Sequence, residues 1–250
     1  MKLAYLGAIS TGTVIVVGLV LIAPAFLRNG TGTDPGVSVL LSFDVLDSGD
    51  AAEWCAGLES VLDKHEVKAT VFVSGKTTQA SPECASFPPD VDVGSRTYSY
   101  VDLTSIDYRV ALDEVWTGKV AVDEAGGINS KLFKAPNGSA DQNIYSLLSR
   151  SGILADFSYS DQYNKYENDR FVKYNLTSFV GDREQEQFFA LISNQTLVAS
   201  IAVNFDSSVD LAQIDDFITR LKSVQNDRMH IVNASGLTGI NLTIRESEPI

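Results

Sequence analysis

Residues 94–106, GSRTYSYVDLTSI, stand between a short apolar run at 91–93 and a long amphipathic pattern at 108–125. The first is typical of a buried strand, and the second has the apolar spacing of a surface helix. The same alternation of strand-like and helix-like segments continues on both sides of this stretch, from Val37 onward. It predicts an α/β fold with a parallel sheet, and the number of units is enough to close a barrel. Periodicity alone does not separate a barrel from an open, doubly wound sheet.

The predicted strands share apolar, β-branched character, and they are 37–43, 69–73, 91–93, 131–133, 153–156, 197–205 and 229–232. The predicted helices are one that carries Trp54, Leu58, Val61 and Leu62, capped by Asp47 or Asp50, and three more at 108–125, 144–149 and 211–224. The helix at 108–125 is expected to pack through its apolar positions Val110, Leu112, Val115, Val120 and Val122. Each assignment rests on hydrophobic period and on helix start signals.

The amino-terminal segment predicts a membrane anchor at residues 1–28. Residues 3–27 carry no charged side chain. That is longer than the about 20 residues that span a bilayer and than the apolar core of a typical signal peptide. Ala23-Pro24-Ala25 also fits a small-x-small cleavage site, so a cleaved signal peptide is the alternative. Residues 29–36, rich in Gly, Thr and Pro, then predict a short tether to a domain at 37–250.

Sequons and cysteines indicate that this domain lies outside the cell, with the amino terminus inside. The two cysteines, Cys55 and Cys84, fit one structural disulfide in an oxidising compartment, with two buried thiols as the alternative. Six asparagines begin an Asn-x-Ser/Thr glycosylation pattern: Asn29, Asn137, Asn175, Asn194, Asn233 and Asn241.

The charge of the chain excludes one class of partner. Its formal net charge is −13 and its pI is about 4.5. A field of this sign repels phosphate backbones, so nucleic-acid binding is not expected.

The stretch at 94–106 resembles the metal-binding motif of the polysaccharide deacetylases, the NodB-like family. That motif reads His-Ser/Thr-x-x-His followed by Pro/Asp-Leu-Thr. Here the frame and the Asp-Leu-Thr tail are present, but Arg96 and Tyr100 stand where the two imidazoles belong. The resemblance extends from Val37 to about Ile231. It implies an irregular (β/α)7 barrel of NodB-like type, with its site at the carboxyl ends of the strands, here preceded by one transmembrane helix.

Further motifs of the family can be matched residue by residue. In Ser-Phe-Asp-Val at 42–45, Asp44 matches the general base, while Val45 replaces a metal-ligating aspartate. Lys134 matches the cation of the family's third motif, and Asp156 matches the aspartate that orients the base. Asn204, at the end of a predicted strand, stands where the family has its general-acid histidine.

These departures predict that the chain binds no metal or other cofactor and has lost its catalytic residues. A divalent cation would polarise the amide carbonyl and lower the pKa of its bound water. All three ligands are lost, at Val45, Arg96 and Tyr100. A guanidinium at the metal position would repel a dication by roughly 8 kcal/mol at about 4 Å and an effective dielectric constant near 20.

Two ion pairs are expected in the altered site. Arg96 is expected to pair with Asp44 and to replace the metal structurally, because a guanidinium suits a carboxylate. Lys134 is expected to pair with Asp156.

The resemblance and its departures together predict a catalytically inactive domain. Its expected role is that of an accessory or structural subunit that contacts cell-surface glycan or another membrane or envelope protein. The alternative is a carbohydrate deacetylase, or another hydrolase of carbon–nitrogen bonds, with an unusual site around Asp44, Lys134 and Asp156. A lectin-like module that keeps the sugar cleft is a third reading, in which Tyr98 and Tyr100 would contact the sugar. Other aromatic residues near the expected mouth are Tyr108, Phe157, Tyr159, Tyr163 and Tyr166.

Overall fold

The computed structural model of this chain describes residues 36–158, 172–174, 176–193, 200–238 and 243–245. All of them belong to the second of the two units into which the chain divides, Pro35–Ile250. The expected anchor at 1–28 and most of the tether lie outside the described residues, as do Asn29, Asn175, Asn194, Asn241, Tyr159, Tyr163 and Tyr166. Within the described ranges, no helix combines the length and the apolar character needed to cross a bilayer.

Eleven strands can be described. They are β1 (Val37–Val45), β2 (Ala69–Val73), β3 (Val91–Ser95), β4 (Ile128–Ser130), β5 (Leu132–Phe133), β6 (Ala155–Asp156), β7 (Val172–Lys173), β8 (Thr177–Val180), β9 (Ser200–Asp206), β10 (Met229–Val232) and β11 (Thr243–Arg245).

The described helices lie between these strands. They are α1 (Ala51–His65), α2 (Gly75–Ala80), α3 (Tyr108–Gly126), α4 (Gln142–Arg150), α5 (Gln185–Ser193), α6 (Leu211–Val224) and α7 (Ala234–Thr238), with short 3-10 turns at Pro82–Ala85, Leu103–Ser105 and Pro136–Gly138.

Nine strands form one curved parallel sheet. Its order is β7-β6-β5-β3-β2-β1-β9-β8, with β10 also paired to β1. Strand β1 lies at the centre, and residues 39–43 of it are fully buried, as expected for a strand covered on both faces. Strands β4 and β11 form a separate antiparallel pair. The predicted α/β class with a parallel sheet is thus confirmed, and no pairing between the described parts of β7 and β8 joins the two edges of the sheet.

The two faces of the sheet have different surroundings. The inner face of the curve is lined by a small apolar cluster that includes Leu40, Phe72, Leu132 and Phe157. The outer face packs against α1 and α6 through a larger cluster of buried apolar side chains. The inner cluster lies directly below the carboxyl edge of the sheet, where the candidate site is found.

Helix α3 departs from its predicted packing. Val115 and Val122 are buried as expected. Val110 and Leu112, by contrast, are 50% and 39% exposed. The buried face instead uses small residues, because Gly118 lies directly against the backbone of the segment that carries Arg96. An added Cβ at Gly118 would lie 2.5 Å from Arg96 O, so only glycine allows this close approach.

Candidate functional site

Three ionic side chains meet at the carboxyl edge of the sheet. Asp44 lies near the end of β1, Arg96 directly follows β3, and Lys134 directly follows β5. Because these strands are parallel, the residues at their ends share one edge. The curvature of the sheet brings the edge together, so that β5 and β1 face each other although β3 and β2 lie between them.

Lys134 lies at the centre of this group and is almost fully buried. Its Nζ is 2.9 Å from Asp44 Oδ1, and it donates hydrogen bonds to Asn204 Oδ1 at 2.9 Å and to Ser42 Oγ at 3.3 Å. Burial lowers the pKa of Lys134 and the charge of Arg96 lowers it further, whereas the Asp44 carboxylate opposes both effects. The ammonium therefore lies among three oxygen atoms, which offset part of the effect of burial.

Arg96 provides the second cation. It is 2% exposed, and its Nη1 lies 3.5 Å from Asp44 Oδ2. The guanidinium carbon lies 4.4 Å from the centroid of the Tyr100 ring, within the range of a cation–π contact. Its Nε and Nη1 find no hydrogen-bond acceptor in the described part of the chain. The expected pair of Arg96 and Asp44 is thus present as an ion pair, without the two hydrogen bonds that a guanidinium can make to a carboxylate.

Tyr100 is held in a strained backbone conformation. Its φ of +63° lies in the left-handed region, which costs a non-glycine residue on the order of 1 kcal/mol. Thr97 Oγ1, which accepts a hydrogen bond from the Val101 amide at 3.1 Å, helps to hold this turn. The turn places the ring of Tyr100 over Arg96, so the two residues at the former imidazole positions contact each other.

The residues at this edge do not fit the metal that the resemblance implies. Val45 is fully buried in the outer apolar cluster and offers no oxygen. In the described ranges, no group of three His, Cys, Asp or Glu side chains has the geometry to hold a metal ion. The two cations beside Asp44 oppose a dication electrostatically. The donor set and the charge therefore both disagree with a metal centre.

Asp156 and Asn204 make contacts that differ from those expected for them. The structure pairs Lys134 with Asp44 rather than with Asp156. Asp156 Oδ1 instead accepts hydrogen bonds from the amide and the hydroxyl of Ser158, and Ser158 Oγ accepts from the Ala135 amide at 2.8 Å. Asp156 therefore supports the backbone next to Lys134. Asn204 binds Lys134 through Oδ1 and Ser178 Oγ through Nδ2, and an amide cannot act as the general acid that a histidine supplies.

Aromatic rings form the floor of the cleft. Phe72, whose ring centroid is 5.5 Å from Lys134 Nζ, contacts Phe157, and Phe157 stacks on Tyr174 with ring centroids 4.9 Å apart. Burial raises the pKa of Tyr174 to about 12. Tyr98, expected at the mouth, instead packs against α2 and donates a hydrogen bond to Gln79 Oε1 at 2.9 Å. Tyr98 is therefore poorly placed to contact a sugar in the cleft.

The remaining predicted positions are the two cysteines and two of the sequon asparagines. Cys55 and Cys84 form a disulfide. Asn137 is exposed in the turn that follows Lys134. Asn233 does not suit glycosylation in the folded domain, because it is buried and its Nδ2 donates to Asp90 O at 3.2 Å.

Ser42 and Ser158 were not predicted as site residues. For Ser42 a signal was present: alternate residues of a strand lie on one face, so Ser42 shares the face of Asp44. For Ser158 the sequence gives no comparable signal, because its role depends on the turn after β6.

A family model described as Polysaccharide deacetylase matches residues 31–155 of the chain. No curated protein matches it. Among solved structures, a putative polysaccharide deacetylase from Mycobacterium smegmatis is similar with a TM-score of 0.62 and 14% identity, over 88% of this chain and 97% of that one. Peptidoglycan deacetylase PdaC from Bacillus subtilis has a TM-score of 0.56 and 17% identity, over 83% and 93%. A CE4 family pseudoenzyme from Bacillus anthracis has a TM-score of 0.56 and 16% identity, over 81% and 69%.

Proposed function

Because this chain belongs to the polysaccharide deacetylase family yet holds two protein cations around Asp44, we propose that it is a non-catalytic member that works as a binding or structural domain. The observation that carries the proposal is the position of Lys134, whose ammonium contacts oxygens of Asp44, Asn204 and Ser42. A carboxylate that pairs with two cations is a poor base. The donor set and the two cations do not fit a metal ion that would polarise a carbonyl, so we expect no amide hydrolysis in this cleft.

Non-catalytic proteins occur among the structural neighbours. The Bacillus anthracis protein is described as a pseudoenzyme, and one of its mutants as having restored enzymatic activity. The fold is therefore compatible with a role other than hydrolysis. For this chain, the retained frame with altered site residues supports such a role.

The proposal includes a location outside the cytoplasm, with the domain tethered to a membrane through residues 1–28. The uncharged segment at 3–27, the five sequons other than that of Asn233 and the Cys55–Cys84 disulfide support it. Asn137 is exposed in the turn that follows Lys134, where a glycan would obstruct access by a polymeric substrate. In this setting the domain would contact cell-surface glycan or another envelope protein as an accessory subunit.

Elemental analysis of the purified chain, combined with an acetate-release assay on N-acetylated oligosaccharides, tests the proposal. The expected results are no stoichiometric zinc, nickel, cobalt or manganese and no acetate. The matched variant carries Arg96→His and Tyr100→His, which removes the guanidinium and places two imidazoles near the Asp44 carboxylate, and it should retain about one metal ion per chain. A metal ion that copurifies with the unchanged chain, or acetate release by it, would favour the alternative of an unusual deacetylase around Asp44, Lys134 and Asp156.

A further inference from the structure

A second groove lies at the opposite edge of the sheet from the ionic cleft. It has a volume of about 510 Å³ and is formed by the carboxyl-terminal half of α3, the start of β4 and the segment after α4. Gly127, Lys131 and Gly152, which line it, each precede a strand of the domain. The groove therefore lies at the amino edge. We call it the α3 groove and define it by Trp116, Lys119, Asp123, Asn129, Lys131 and Arg150.

The floor of the α3 groove is a fixed polar network. Lys119, which is 6% exposed, donates to Asp123 Oδ2 and, at 3.1 Å, to Asn129 Oδ1. Lys131 donates to the same Asn129 oxygen at 2.8 Å. Asp123 Oδ1 accepts from the Ser130 amide at 2.8 Å, which anchors the network to β4. Partly buried, mutually bonded donors and acceptors of this kind are held in fixed positions and are pre-organised to bind a polar ligand.

One wall of the α3 groove is an exposed aromatic ring. Trp116 is 54% exposed, whereas Trp54, the other tryptophan of the chain, is 8% exposed. Trp116 continues an apolar stripe on α3 with Tyr108 and Leu112, each four residues apart and each more than a third exposed. The stripe extends about 12 Å along the helix. A contiguous exposed apolar stripe that ends in an indole beside a polar groove is typical of a ligand or interaction site.

The charge of the α3 groove differs from that of the whole chain. Three cations, Lys119, Lys131 and Arg150, and two carboxylates, Asp123 and Glu124, line it, in a protein of net charge −13. Lys119 is already paired with Asp123. Burial lowers the pKa of Lys131, and the positive charge of Lys119 lowers it further. An anionic group on a ligand would relieve this repulsion.

We infer that the α3 groove binds a sugar that bears a carboxylate, as one unit of an acidic glycan. A sugar ring combines an apolar face, which stacks on an indole, with hydroxyls that donate and accept hydrogen bonds. The Lys119–Asp123–Asn129 network offers both kinds of partner. The carboxylate accounts for the excess of cations near Lys131 and Arg150. This inference extends the proposed binding role of the domain to a surface that is separate from the ionic cleft.

Tryptophan fluorescence tests the inference, because only Trp116 of the two tryptophans is exposed. The probes are tri-galacturonic acid and galactotriose, which differ in whether C6 is a carboxylate or a hydroxymethyl group. Binding of the acidic trisaccharide should change the Trp116 emission, and the neutral one should bind at least about tenfold more weakly. Equal affinity for the two, or no binding of either, overturns the inference.

Variants locate the binding. Trp116→Ala should weaken it by tenfold or more, and isothermal titration calorimetry replaces the lost fluorescence signal. Lys131→Gln should weaken it by about tenfold, and the control Lys68→Gln, an exposed cation away from the α3 groove, should leave it unchanged. Metal content and acetate release are measured separately on the unchanged chain, so failure of this inference would leave the proposal about the cleft standing. If calorimetry on Trp116→Ala, with a thermal melt to show that the variant is folded, gives unchanged binding, the site lies elsewhere.

Discussion

Lys134 Nζ lies 2.9 Å from Asp44 Oδ1, although two strands of the sheet, β3 and β2, lie between the strands that carry the two residues. Arg96 adds a second cation on the other oxygen of the same carboxylate. The Asp44 carboxylate therefore pairs with two largely buried positive charges. This pairing is the property of the cleft that can be tested most directly.

Asp44→Asn should destabilise the domain strongly. It removes the carboxylate charge that pairs with both Lys134 and Arg96, and loss of one partner of a buried pair costs about 3–5 kcal/mol. Urea denaturation gives the change in the free energy of unfolding. The matched control is Asp47→Asn, which breaks the exposed pair with Lys76 and should cost less than about 1 kcal/mol. Equal small effects of the two variants would show that the buried group is not held by charge.

Gly118→Ala should destabilise the domain although alanine normally favours a helix by about 1 kcal/mol over glycine. The added Cβ would lie 2.5 Å from Arg96 O and 2.8 Å from Tyr98 N, both of which are backbone atoms. Forcing a methyl group into such a contact costs about 1–3 kcal/mol. Thermal denaturation measures this loss of stability as a lower melting temperature.

Gly49→Ala is the control for this substitution, because an added Cβ there meets no atom within 4 Å. It should leave the melting temperature nearly unchanged. A melting temperature of Gly118→Ala at or above that of the unchanged chain would mean that α3 can move away from the Arg96 segment.

The limits of sequence reasoning are visible in these same elements. The predicted bounds of β2 and α6 are confirmed. In each segment the apolar residues follow a single period from one end to the other. The meeting of strand ends at one edge also follows from parallel pairing. The pairing of Lys134 with Asp44 instead of Asp156 does not follow from parallel pairing. It depends on how strongly the sheet curves, and no local sequence pattern determines that curvature.

Helix α3 shows the second limit. Val115 and Val122 are buried as predicted, but Val110 and Leu112 are exposed. The rest of the buried face uses Ala111, Gly118 and Ala121. Hydrophobic period identifies a helix but does not say which of two apolar stripes faces the core. In α3 the close approach of two backbones determines which stripe is buried, because Gly118 lies where the Arg96 segment crosses the helix.

Loss of the disulfide should lower stability without altering the cleft. Cys55 in α1 and Cys84 in the turn at Pro82–Ala85 close a loop with a sequence separation of 29. In the chain-entropy model such a loop contributes about 3–4 kcal/mol. The double variant Cys55→Ala, Cys84→Ala should lose about this much in urea denaturation.

Treatment of the unchanged chain with a thiol reductant should produce the same loss, and the reductant should have no effect on the double variant. A reductant effect that persists in the double variant would assign the loss to something other than this bridge.

The unfolding free energy at alkaline pH should show whether water reaches Tyr174 in the floor of the cleft. Burial raises the pKa of its phenol to about 12, from about 10 in an unfolded chain. Between these values the unfolded state has lost the proton and the folded state keeps it, so stability falls as pH rises through this window. Below pH 10 the contribution is fully present.

Tyr174→Phe keeps the stack on Phe157 but has no proton to lose, so its unfolding free energy should fall less than that of the unchanged chain between about pH 9 and pH 11. Parallel pH dependences would show that water reaches this phenol, and that the rings beneath Lys134 do not form a dry floor.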